Sequence, residues 1–75
     1  MKSLIKFAAK KLAEATIPTD EIRIDKTGGL LWLVFVTGGR TVSRIIGFAP
    51  ANGTLGREYT RYLKDQIAMK IGEII

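Results

Sequence analysis

Apolar residues recur at helical spacing at the start of the chain and at strand spacing through its middle. Over residues 3–16, Leu4, Ile5, Ala8, Ala9, Leu12 and Ala15 fall on one face of a helical wheel. Lys2, Lys6 and Lys10 line the opposite face at i, i+4 spacing. Ser3 is placed to cap this helix, and Ile17-Pro18 ends it, because the residue before proline avoids helical backbone. Glu21 to Lys26 alternates, with Ile22 and Ile24 pointing one way and Glu21, Arg23 and Asp25 the other, the pattern of a half-buried strand. Thr27-Gly28-Gly29 turns into Leu30–Thr37, a continuous β-branched and aromatic run. Gly38-Gly39 is a two-residue hairpin signal, since both central positions of the favoured turn need positive φ. Arg40 to Phe48 follows as a third strand, and Pro50, Asn52 and Gly53 form a loop. Thr54 is placed to cap a second helix over about Leu55–Lys70, with Glu58 supporting its first turn and Gly72 loosening or ending it.

The order α-β-β-β-α predicts an α+β fold: a single domain over residues 1–75, with a three-stranded antiparallel meander and two helices on one face. The Gly38-Gly39 turn pairs Thr37 with Arg40, Phe35 with Val42 and Leu33 with Arg44, and a two-residue Gly28-Gly29 turn sets Ile24 opposite Leu33. One sheet face then carries Ile22, Ile24, Leu31, Leu33, Phe35, Val42, Ile46 and Phe48, and is the face the helices are expected to cover. The other carries Leu30, Trp32, Val34, Val36 and Ile45, bordered by Arg23, Asp25, Thr41 and Ser43. Two helices cannot readily cover both sides of so small a sheet. This second apolar face is therefore a candidate interface, in a homodimer or with a partner protein. The alternative is that one helix crosses over and buries it as core.

Composition narrows the chemistry. The chain contains no Cys and no His, which removes disulfides, thiolate zinc sites, cysteine nucleophiles and imidazole general bases. No catalytic residue, metal or cofactor is expected, and the function sought is binding. The net charge of +5 favours an acidic partner: nucleic acid, an anionic membrane surface or an acidic protein. Arg57, Arg61 and Lys64 share one side of the second helix, with Leu55, Tyr59, Leu63 and Ile67 opposite. This is a short basic face suited to phosphates, reduced if Asp65 pairs with Arg61 at i, i+4. Lys6 and Lys10, with Lys2, make a second stripe that joins the first if the helices pack side by side. The glycine pairs lack the Lys-Ser/Thr of a phosphate loop, and Asp20, Glu21 and Asp25 match no calcium loop. The longest apolar run, Leu30 to Val36, is too short to span a membrane, and a soluble, cytoplasmic protein is expected. The pattern leaves open whether Ile71, Ile74 and Ile75 pack within the chain or on a partner.

With Thr27-Gly28-Gly29 at the first turn, Gly53-Thr54-Leu55 ahead of the last helix and the α-β-β-β-α order, the chain resembles the double-stranded-RNA-binding fold. Among proteins of that fold it looks most like the small HicA-type toxins. In that family cleavage depends on a His beside the glycine turn; here Leu30 follows Gly29. The resemblance therefore implies binding without cleavage, with Arg57, Arg61 and Lys64 at the basic start of the last helix meeting duplex phosphates by shape. Two readings stand. One is a non-catalytic nucleic-acid-binding protein, dimeric and gripping RNA or DNA phosphates. The other is an interaction module, an inhibitor or adaptor of phage or mobile-element origin, docking through the apolar face around Trp32.

Overall fold

A computed structural model of the chain describes residues 1–74. Its order is α1 (Lys2–Glu14), β1 (Glu21–Thr27), β2 (Leu30–Thr37), β3 (Arg40–Phe48) and α2 (Arg57–Ile74). The strands form one antiparallel sheet in the order β1-β2-β3. Both hairpins turn through two glycines with positive φ: +62° and +76° at Gly28 and Gly29, +55° and +78° at Gly38 and Gly39. These are the values of the tight turn whose twist matches that of the strands it joins. The turns set the expected register, with Ile22 opposite Phe35, Ile24 opposite Leu33, and Phe35 opposite Val42.

Both helices lie on the same sheet face. Leu4, Ala8 and Leu12 of α1 and Leu63, Ile67 and Ile71 of α2 form one core with Leu31, Leu33, Phe35 and Ile46. Phe7 packs against this core, whereas Ala9, placed on the apolar face by the wheel, is exposed. The helices run parallel: Phe7 lies beside Lys64, and further along, Lys11, Glu14 and Ala15 share a groove with Ala68, Ile71 and Gly72. Ile71 and Ile74 both join the home core; Ile75 lies outside the described residues.

The helix ends differ from expectation. The Met1 carbonyl accepts the N–H groups of Leu4 and Ile5, so Met1 is the N-cap and Ser3 sits within the first turn. At the other end Ile17 N–H donates to the Leu12 carbonyl and Thr16 N–H to that of Ala13, with Thr16 at φ +55°. This is a Schellman closure with a β-branched residue where glycine is usual. Thr54 does not cap α2. Its N–H donates to Asn52 Oδ1, and the Gly56 carbonyl accepts the first helical bond from Thr60. Gly72 neither ends nor breaks α2, because burial of Ile71 and packing of Ile74 offset a glycine cost of about 1 kcal/mol.

One strand position is corrected. The β2–β3 register shifts at Leu31/Trp32: Trp32 pairs with Ile45 but Leu31 pairs with Gly47. The extra residue, Ile46, stays buried, while Phe48 turns away from the core to the other face and is 75% exposed. A bulge of this kind inverts the alternation of everything beyond it. Its local cause is Gly47, where a Cβ would lie 2.7 Å from Tyr59 Oη and 2.9 Å from Leu63 Cδ2. Only glycine allows α2 to approach β3 this closely without displacement, and Tyr59 Oη closes the contact by donating to the Phe48 carbonyl.

Candidate nucleic-acid interface

The start of α2 presents a cationic depression. Arg57, Arg61 and Lys64, with Leu55 and Thr60, line a recess of about 330 Å³. The buried stripe of Leu63 and Ile67 fixes the helix's rotation, and the 3.6-residue repeat then carries the three cations to its outer flank. Arg57 stands in the first turn, where the helix dipole disfavours a cation, so its position does nothing for the helix itself. The first helical bond is that of Thr60 to Gly56, which leaves the N–H groups of the turn before it directed out of the helix end.

The parallel packing of the helices brings a fourth cation to this flank. Lys64 Nζ lies 5.7 Å from the centre of the Phe7 ring, and Lys11 Nζ 5.5 Å from the same centre. The ring attracts both ammonium groups and gives two like charges a common seat between the helices. Lys11 is also 3.3 Å from Glu14. Among the described residues Arg57, Arg61 and Lys64 form no salt bridge; in particular Asp65 does not pair with Arg61. Lys6 and Lys10 are exposed on the outer side of α1, adding to the positive charge of the helix layer without lining the recess. Lys11 and Thr60 join this flank beside the residues that the sequence pattern points to. Their signals were the i, i+4 spacing of Phe7 and Lys11, and the position of Thr60 one turn before Lys64.

The opposite sheet face has a different character. Leu30, Trp32, Val34 and Val36 share it with Ile45 and, through the bulge, Phe48. Val34 is 4% exposed beneath its neighbours, whereas Ile45 is 43% exposed. Trp32 Nε1–H reaches the Thr27 carbonyl at 3.4 Å, beside a shallow hollow lined by Asp25, Thr27, Trp32, Val34 and Ser43. Along β1, Arg23 bonds both Asp25, at 2.9 Å and 3.0 Å, and Glu21. The hydrogen bond to Asp25, with weaker help from Glu21, holds the Arg23 guanidinium above its ordinary pKa. These carboxylates thus answer a side chain of their own strand. Among the described residues no three potential metal ligands converge, and no helix is long and apolar enough to cross a membrane.

No protein-family model, curated protein or solved structure matches the chain.

Proposed function

We propose that the protein is a non-catalytic nucleic-acid-binding domain that grips duplex phosphates with its helix layer. The observation that carries this reading is the recess at the start of α2, where Arg57, Arg61 and Lys64 converge without carboxylate partners among the described residues. The outward N–H groups of the first α2 turn suit one phosphate oxygen set, and the two guanidinium groups suit bidentate contacts. Lys6 and Lys10 extend the positive field across α1 and steer the duplex toward the recess. Such contacts read backbone geometry and carry no base-edge code, in keeping with the duplex-RNA preference that the family resemblance implies.

The test is fluorescence anisotropy with labelled duplex RNA and duplex DNA. Three or four phosphate contacts make affinity fall about 40- to 150-fold between 50 and 200 mM salt, from a slope of about 0.9 per contact. Arg57→Ala with Arg61→Ala removes two contacts and lowers that slope by about 1.8. Absence of binding at 50 mM salt, or binding indifferent to this double substitution, overturns the reading.

A further inference from the structure

We infer that the uncovered sheet face is the interface of a two-fold homodimer, with the twofold axis running along β2 and Trp32 of one copy facing Trp32 of the other. The face has three rows in register. Glu21, Arg23, Asp25 and Thr27 stand on β1; Leu30, Trp32, Val34 and Val36 on β2; Thr41, Ser43, Ile45 and Phe48 on β3. Among the described residues its charges are the internally paired Arg23, Glu21 and Asp25, whereas the unpaired cations described above lie on the helix layer behind.

This distribution selects the occupant. A nucleic acid finds no unpaired cation here, but a second copy meets an apolar centre and no strong field. Stacked sheets lie about 10 Å apart, and a helix layer adds about as much on each side, so the two basic layers stand about 30 Å from one another. That is more than three Debye lengths at physiological salt, where the length is about 8 Å, and the repulsion between them is screened.

The charge rows also select the axis. With Trp32 kept against Trp32, a twofold perpendicular to the strands would stack β1 on its own copy and set Asp25 against Asp25. One along β2 instead sets the Glu21–Asp25 row of each copy against the uncharged Thr41–Ile45 row of the other. Three strands about 4.8 Å apart and eight residues at about 3.3 Å each give a planar footprint of about 400 Å² per copy, before side-chain relief is added. Doubled, this is about 800 Å² in total, below the size of a standard stable interface, so a weak dimer dissociating at micromolar concentrations or above is expected.

The experiment is sedimentation equilibrium from about 1 to 500 μM, a range bracketing that affinity, with far-ultraviolet circular dichroism on the same samples. The chain has a single Trp, so an indole exciton couplet that grows with the dimer fraction reports Trp32 against Trp32. Ile45→Glu faces the partner's acidic row and Phe48→Ser removes an exposed ring. Both side chains lie outside the home core, and a retained cooperative melt checks folding. Because each substitution enters a twofold interface twice, association is expected to weaken about a hundredfold or more. A monomer throughout, or a dimer unchanged by both substitutions, overturns the interface; a dimer lost in Ile45→Glu but without a couplet overturns the axis. The Arg57→Ala, Arg61→Ala protein is expected to dimerise normally, so loss of nucleic-acid binding and loss of this interface are separable.

Discussion

Gly47→Ala adds a single methyl group where α2 rests on β3, and its sign can be worked out from two opposing terms. Replacing glycine by alanine in compatible backbone stabilises by about 0.4–1 kcal/mol through the unfolded chain. Gly47 is not among the positive-φ glycines, so that gain is available. Against it, the new Cβ falls 2.7 Å from Tyr59 Oη and 2.9 Å from Leu63 Cδ2. The Tyr59 oxygen is held by its bond to the Phe48 carbonyl, and Leu63 is fully buried, so neither moves freely. Overpacking of this kind costs about 1–3 kcal/mol. The balance is a loss of about 1–2 kcal/mol, from a total of about 4–11 kcal/mol for a chain of this length. In a thermal melt followed by circular dichroism, the midpoint should fall by about 5–15 °C. Tyr59→Phe removes the nearer contact, so in that background the cost of Gly47→Ala should shrink by at least about 0.5 kcal/mol, read as the coupling in a double-mutant cycle. A Gly47→Ala protein as stable as the parent, or additive effects in the cycle, would refute the claim that close helix–strand approach fixes this corner.

Three further outcomes are expected. Thr16→Gly relieves a β-branched residue at φ +55° and should raise stability by about 0.5–1 kcal/mol in urea titration, a lower midpoint counting against the strain. Gly38→Asn keeps a turn geometry that Asn tolerates, with open space around the new side chain, and should stabilise by about 0.4–1 kcal/mol on the same assay. The chain has no His or Cys, and the raised pKa of Arg23 means that its contribution is fully present below the arginine range and lost only as pH rises through it. Arg23 should therefore add no step to the melting temperature between pH 6 and 8, and an Arg23→Ala protein whose destabilisation changes across that window would refute this.

The meander was legible because its determinants are local. Two glycine pairs dictated both turns, the turns dictated register, and the register put Ile22, Leu33 and Phe35 on the side where Leu12 and Leu63 meet them. The wheel positions of Leu4, Ala8, Leu63 and Ile67 followed from spacing alone. What escaped depended on contacts between elements distant in sequence. Phe48 changed faces because α2 presses on Gly47, although a glycine inside a strand is itself a signal of a bulge or a close approach. Lys11 joined the cationic flank only because parallel helices place Phe7 beside Lys64. Arg61 ignored Asp65 since an exposed i, i+4 pair is worth only a few tenths of a kcal/mol, too little to fix two long side chains.

The two glycine-pair turns also shape how the chain reaches its structure. Each ladder zips outward from its own two-residue loop at little cost in loop-closure entropy, whereas α1 and α2 meet only across most of the chain. The sheet is thus expected to form ahead of its helical cover, leaving the Leu30–Thr37 run with hydrophobic side chains on both sides during that interval. Such a segment is a template for intermolecular β-pairing. Its placement in the middle of the sheet guards against this, since the strands bearing the outer edges carry Glu21, Arg23, Asp25 and Lys26 on one side and Arg40 and Arg44 on the other. The two short turns that give the sheet its register therefore also hold its most aggregation-prone strand between two charged ones.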